Sequence, residues 1–197
     1  MKTLYLFRHS KPDKTSKLDN SLIPLSEDGR AALLALLGRI GDLDKNVPVF
    51  SSAYRRAYET ALLISGCVVW DSRLTERQIG SRETFTKELW AGQYTDCDLK
   101  NTDGESFREV RKRMTESINE ILDQIPGGGS AVIVSHAAAI CAYLQQFCRV
   151  EVVDADSKHR KITLGEGIIL DGVIQAPSCF RLEFEEGYLP SHISYLY

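Results

Sequence analysis

Arginines and histidines recur at the ends of short apolar runs in this chain. Arg8-His9 follows Thr3–Phe7, Ser51-Ser52 with Arg55 and Arg56 follows Val47–Phe50, and Ser135-His136 follows Ala131–Val134. Arginine presents a planar, permanently charged fork that matches two phosphate oxygens at once. An imidazole among such cations keeps its lone pair, because neighbouring positive charge lowers its pKa, and it can attack phosphorus. The sequence has no metal-ligand cluster and no glycine-rich phosphate loop, so these side chains must carry the electrostatic work. One histidine after a strand is more often hydrogen-bonded structure than chemistry. Two of them, with arginines at equivalent places, favour a shared anion site. Helices opening after Ser52 and after His136 would add backbone N–H donors.

The elements that must bring these residues together read as an α/β alternation. Thr3–Phe7, Val47–Phe50, Cys67–Trp70 and Ala131–Val134 are short apolar runs with strand character. Ser26 reads as an N-cap with Glu27 and Asp28 in the first turn, and Ala31, Leu33, Leu34, Leu36, Leu37 and Ile40 as that helix's buried face. Further helices are expected over Ala53–Ile64, from the capping-box spacing Ser106…Glu109 to about Ile125, and over Ala137–Phe147. Pro126-Gly127-Gly128-Gly129 stops the second of these. Residues 71–103 read as a partly helical excursion across the end of the sheet. Phe180, Leu182 and Phe184, then Ile193, Tyr195 and Tyr197, alternate as a C-terminal hairpin of half-buried strands. The expected fold is therefore a three-layer α/β/α sandwich around a mainly parallel sheet, one domain over 1–197, with ligands bound beyond the strands' carboxyl ends.

On these residues the chain resembles the histidine phosphatase (phosphoglycerate mutase-like) superfamily. Leu6-Phe7-Arg8-His9-Ser10 is similar to its Arg-His-Gly signature. Ser51-Ser52-Ala53-Tyr54-Arg55-Arg56-Ala57-Tyr58-Glu59-Thr60-Ala61 is similar to its second arginine motif, in which the Arg-Ala-x-x-Thr-Ala core selects Arg56. Leu74-Thr75-Glu76-Arg77-Gln78-Ile79-Gly80 resembles the acid motif, and Val134-Ser135-His136 the second-histidine motif. Leu25–Arg30 and Gly104-Glu105-Ser106 match further recurrent elements. The resemblance runs to about Leu144. It implies a metal-independent phosphatase without cofactor, with His9 as nucleophile, Arg8, Arg56 and His136 binding the phosphoryl group, and Glu76 as general acid. Ser10 and Asn20 are expected as further substrate contacts. Ser10 and Ala137 stand where the family usually has glycine, which lets backbone approach phosphate.

Other residues compete for these roles. Glu76 could instead pair with Arg73 or Arg77, leaving Glu105 and Glu83 as alternative acids. Arg55 should face solvent, since adjacent helix residues point in different directions. Asp13–Asn20 reads as a polar loop overhanging the pocket, Lys158-His159-Arg160-Lys161 as solvated surface, and His192 as structural. A formal net charge of -3 offers no global field for nucleic acid or anionic lipid. Five cysteines without a CxxC pair read as reduced, buried thiols. No apolar run reaches spanning length, and the short N-terminal apolar stretch is no signal peptide. The protein is expected in the cytoplasm, acting on a phosphorylated small molecule. The alternatives are a phosphomutase using the same phosphohistidine, or a non-catalytic phospho-ligand binding module.

Overall fold

The structure, a computed structural model, describes every residue of the chain except 42 and 45. Its centre is a six-stranded sheet in the order β3-β2-β4-β1-β8-β9, built from β1 (Lys2–Arg8), β2 (Val49–Ser51), β3 (Val68–Trp70), β4 (Ser130–Ser135), β8 (Ser178–Phe184) and β9 (His192–Leu196). The first four strands run parallel, β8 lies antiparallel on β1, and β9 turns back on β8 as the expected hairpin. Side-chain alternation sends Leu4, Leu6, Ala131, Ile133, Phe180 and Leu182 to one face, where α4 (Phe107–Gln124) and α5 (Ala137–Leu144) cover them. Phe7, Val132, Val134 and Cys179 go to the other, under α1 (Glu27–Ile40) and α2 (Arg55–Ile64). Period-2 strands between two helical layers produce the three-layer sandwich.

Capping follows the sequence signals. The Ser26 hydroxyl accepts from Gly29 N at 3.0 Å. Ser106 and Glu109 form the reciprocal box, with Glu109 N donating to the Ser106 hydroxyl at 3.2 Å and Ser106 N to the Glu109 carboxylate at 2.7 Å. Two expectations need correction. In α1 only Leu33 and Leu36 of the named face are fully buried, whereas Ala31 and Leu34 point to solvent. Positions 31 and 34 fall opposite the stripe through 29, 33 and 36, and composition alone hid that. Of the cysteines, Cys141, Cys148 and Cys179 are buried, but Cys67 is exposed and Cys97 half-buried.

The sequence reading missed a second sheet altogether. β5 (Arg149–Asp154), β6 (His159–Leu164) and β7 (Gly167–Gly172) form an antiparallel meander whose Val150, Ile162 and Leu170 join the α4/α5 core. The excursion over 71–103 holds a 3₁₀ turn at Ser72–Leu74 and α3 (Lys87–Gly92). Gly80, at φ 76°, and Gly104 press backbone against backbone. A Cβ on Gly80 would stand 2.1 Å from Thr102 O, and one on Gly104 2.7 Å from Ile79 O. Both recurrent glycines are thus explained by close approach.

Gly29 does the same for the segment after β1. A Cβ there would meet Lys11 O at 2.3 Å, while Gly38 on the same helix has nothing within 4 Å. The two glycines should therefore respond with opposite signs. Gly38→Ala is expected to stabilise the protein by about 0.5–1 kcal/mol, since alanine restricts the unfolded chain and favours helix. Gly29→Ala is expected to destabilise it by about 1–3 kcal/mol through overpacking. Urea midpoints of the two variants check this.

Candidate active site

The register of β1 on β4 sets the site. Arg8 pairs with Ser135, and His9 N continues the ladder to Ser135 O at 2.9 Å. On the other edge of β4, Ser52 N donates to Val134 O at 2.9 Å. His9, Ser52 and His136 therefore leave adjacent strand ends side by side, and the two imidazole centroids lie 4.9 Å apart. Arg8 falls on the Leu4–Leu6 face, and one of its terminal nitrogens donates to the Ile174 carbonyl in the segment between β7 and β8. Its buried Nε has no partner among the described residues.

The tautomer of His9 follows from its neighbours. Nδ1 lies 2.7 Å from the Ser10 carbonyl, which can only accept, so Nδ1 carries the proton. Nε2 receives a hydrogen bond from Arg56 Nε at 3.1 Å, and arginine can only donate, so Nε2 holds a lone pair. Both assignments rest on the hydrogen-bond network and they agree. Burial first, then the Arg56 and Arg8 charges, push the His9 pKa down from 6.5 to about 3. His136 is fully buried and held well below its ordinary value by burial, His9 and Arg56. Both rings are neutral near pH 7.

Arg56 ties the constellation together. It is 6% exposed, and its guanidinium also reaches Asn20 O at 2.5 Å, Asn20 Oδ1 at 3.4 Å and His136 Nδ1 at 3.4 Å. Ser52 Oγ stands 2.8 Å from His136 Nε2. Arg55 turns outward and pairs with Glu59 at 2.7 Å, as the helical offset predicted. The polar loop meets this side of the site: Asn20 grips Arg56, and Ser21 O accepts from Arg55 N at 2.8 Å. That bond occupies an N–H of α2 expected to face an anion. In α5, Ala139 N is likewise committed, to Glu76 Oε1 at 3.1 Å.

Glu76 sits in the loop after the 3₁₀ turn, its Oε1 also accepting from Arg77 N at 2.9 Å. Neither rival pairing holds it, because Arg73 is bound to Asp71 and Glu120. The loop is clamped from behind. Arg113 forms a two-pronged pair with Glu105, at 2.8 Å for each prong, and donates to the carbonyls of Arg73, Thr75 and Glu76. Glu105 is thus a support for the Glu76 loop. Glu83 is exposed and lies outside the cavity wall. Ser10 is fully buried, and its hydroxyl donates to Gly29 O at 2.6 Å while its N–H binds Thr60 Oγ1 at 3.0 Å. Its side chain therefore faces α1 instead of a substrate, which corrects the sequence expectation.

A cavity of about 360 Å³ opens beside Arg8 and Glu76, with Ala137 and Ala138 in its wall. His9, Arg56 and His136 are not part of that wall. Arg77, Trp90, Lys158 and Arg160 are, and sequence reasoning missed them. Arg160 is 4% exposed, against the expected solvated stretch. It stacks on Trp90 at 5.0 Å and Tyr94 at 5.3 Å, and its Nε donates to Tyr94 Oη at 2.9 Å. Among the described residues no group of three His, Cys, Asp or Glu side chains is placed to hold a metal ion. Among them, too, no helix is long and apolar enough to cross a membrane.

Two histidines, two arginines and a carboxylate thus gather around one group of strand ends in an α/β/α sandwich. The model of the histidine phosphatase superfamily (branch 1) matches residues 4–163, and the chain belongs to that superfamily. It is 28% identical over 155 residues to the probable phosphoglycerate mutase GpmB of Cronobacter sakazakii, covering 71% of this chain and 72% of that one. Among solved structures, Bacillus stearothermophilus YhfR superposes with a TM-score of 0.69 at 21% identity, over 95% of this chain and 93% of that one. A mycobacterial glucosyl-3-phosphoglycerate phosphatase does so with 0.66 at 24% identity, over 98% and 96%. These two likenesses establish the phosphoglycerate mutase-like fold.

The depressed His9 pKa makes stability depend on pH with a definite sign. The unfolded chain takes up this proton near pH 6.5, and the folded chain only near 3. The unfolded state thus binds more protons between those values, and stability falls as pH drops through that window. Urea midpoints measured from pH 7 to 5 should decline, and His9→Gln should make the decline shallower.

Proposed function

We infer that this protein is a metal-independent phosphomonoester hydrolase that works through a phosphohistidine on His9. The observation that carries the reading is the state of His9 Nε2, which bears a lone pair, is flanked by Arg56 and belongs to a ring kept neutral to about pH 3. Such a nitrogen needs no general base before it attacks phosphorus.

In the first half-reaction Nε2 attacks the phosphorus while the bond to the leaving oxygen breaks. Arg8 and Arg56 offer guanidinium N–H groups to the equatorial oxygens, where charge must be stabilised. His136 can join them without gaining charge. It does so in the tautomer protonated on Nδ1, with the Ser52 hydroxyl donating to Nε2 and Arg56 Nη2 turned from Nδ1 to the phosphoryl group. Glu76 uses Oε1 to anchor itself on two backbone N–H groups. Its Oε2 is the atom left to deliver a proton to the leaving oxygen. In the second half-reaction water attacks the phosphohistidine, Glu76 takes up its proton, and inorganic phosphate leaves.

The mutase name of the Cronobacter relative supports a second reading, in which an acceptor alcohol replaces water. Both readings share the phosphoenzyme. Rapid quench with labelled substrate should trap a label that survives alkali and is lost in acid, and His9→Ala should lose both label and turnover. Label persisting in that variant would place the nucleophile elsewhere. Adding candidate acceptors then separates water from alcohol, and unchanged activity after EDTA treatment tests metal independence. A protein that neither hydrolyses nor becomes labelled is a binding module.

Glu76 is tested by leaving group. A nitrophenolate departs without a proton, whereas an alkoxide needs one, and general-acid catalysis contributes ~10²–10⁴-fold. Single-turnover rates for Glu76→Gln should fall by about that factor on alkyl phosphates and far less on p-nitrophenyl phosphate. An equal loss on both would remove Glu76 from the role. Arg56→Ala should slow both substrates, because phosphoryl charge needs stabilising whatever the leaving group.

A further inference from the structure

The C-terminal hairpin reaches Arg8 through a single peptide group. Register sets Arg8 opposite Ser178, Leu6 opposite Phe180, and Phe180 in turn opposite Tyr195. Period-2 alternation then puts Leu6, Arg8, Phe180 and Tyr195 on one face of the sheet, the face covered by α4 and α5. The Tyr195 ring packs on Phe180 at 4.8 Å and stacks with Tyr197 at 5.5 Å. Its hydroxyl accepts from Gln175 N at 2.7 Å.

Gln175 N and the Ile174 carbonyl belong to the same amide plane. A trans amide points its C=O and its N–H in opposite directions and turns only as a rigid unit. Arg8 holds the carbonyl side of this plane, and Tyr195 holds the N–H side. The residues that flank the plane are restrained as well. The Ile174 side chain is fully buried, and the Ser178 hydroxyl donates to Gln175 O at 2.7 Å. The soft motion that remains is rotation of the plane about the line joining its two Cα atoms. Such a turn would carry the carbonyl away from Arg8, and the bond to Tyr195 opposes it. An N–H that is already donating also polarises its own amide and makes the carbonyl a better acceptor.

Arg8 depends on that acceptor. Among the described residues, its Nε is buried without a partner, and the Ile174 carbonyl is the acceptor that holds its guanidinium. Val173 lines both the cavity beside Arg8 and the groove walled by Gln175, Tyr195 and Tyr197. The segment is therefore a partition, with the arginine bonded on one side and the tyrosine on the other.

We propose that Tyr195 is a positioning residue for phosphoryl binding, which fixes the direction of Arg8 through the Ile174–Gln175 amide. The role of Arg8 rests on the hydrolase reading, but anion binding can be measured without turnover.

Tyr195→Phe tests this, because it keeps the ring on Phe180 and Tyr197 and deletes only the acceptor. kcat/KM should fall by ~3–10-fold on alkyl phosphates and p-nitrophenyl phosphate alike, the scale of one hydrogen bond. The dissociation constant of orthovanadate, read by calorimetry, should rise by the same factor. In an Arg8→Gln background Tyr195→Phe should change neither quantity by more than about twofold, since no guanidinium is left to orient. Ser178→Ala, which frees the next carbonyl of the same bend, should act in the same direction and fade in the same background. Tyr197→Phe trims the neighbouring exposed ring and should leave turnover unchanged. If vanadate binds with this dependence on Tyr195 and Arg8 while no monoester is hydrolysed, the hydrolase reading falls and the positioning role stands. An equal loss with and without Arg8 would make Tyr195 a general prop of the fold and overturns the proposal. So does the absence of any loss, or a protein that binds no vanadate.

Discussion

Pairing of β1 with β4 in a single parallel register is the constraint on which the site depends. Phe7 opposite Val134 and Arg8 opposite Ser135 bring two histidines that are 127 residues apart in sequence to ring contact. A slip of one residue would exchange the faces of the strand. Leu4 and Leu6 would leave the α4/α5 core and Arg8 would leave the cavity. The apolar alternation that fills the two layers is thus the same pattern that aims the charges. Ser135 reinforces it by donating to Leu74 O at 2.7 Å, which ties the end of β4 to the loop bearing Glu76.

Burial of cations is the second organising choice. Arg8 and Arg56 have pKa values lowered first by desolvation, and both are countered by the charge of Glu76. The guanidinium stays charged nonetheless. Desolvation makes each of them a stronger partner for an anion than it would be in water, because the competing solvent has been removed. The same burial depresses both histidines. One physical cause therefore supplies charged guanidiniums and uncharged imidazoles a few ångströms apart.

Much of this could be read from the sequence, for identifiable reasons. The strands β1 and β4 are continuous apolar runs, and polar residues that interrupt such runs at their ends stand out. The caps Ser26 and Ser106 are local signals with local partners. The meander β5–β7 was illegible because its strands carry charge on the faces that meet solvent, and Arg160, its most buried cation, looks like surface in a run of four basic side chains. A usable signal was there: Ile162 and Leu164 lead into Gly165-Glu166 and then Gly167, with Ile168–Leu170 beyond, the spacing of a tight hairpin. Arg77 was also read only as a partner for Glu76. Nothing in one sequence says that Phe85 and Phe107 close around it, since that contact joins a loop to the first turn of α4. Ser10 shows the converse: its place beside His9 suggested contact with substrate, and only the packing of α1 reveals where its hydroxyl goes.

The bond from Arg8 to the Ile174 carbonyl links the phosphoryl end of the site to the segment that follows the meander. Residues 149–172 contribute Lys158 and Arg160 to the cavity and lie outside the six-stranded sheet. They therefore have the character of an exchangeable cassette. A protein engineer could redraw the far end of the pocket by replacing this meander, provided that the splice keeps the backbone at Ile174 in place and restores the apolar contacts of Val150, Ile162 and Leu170. The scaffold thus joins the sheet that carries Arg8 and His9 to a separate meander that helps to line the cavity, with one carbonyl oxygen as the seam.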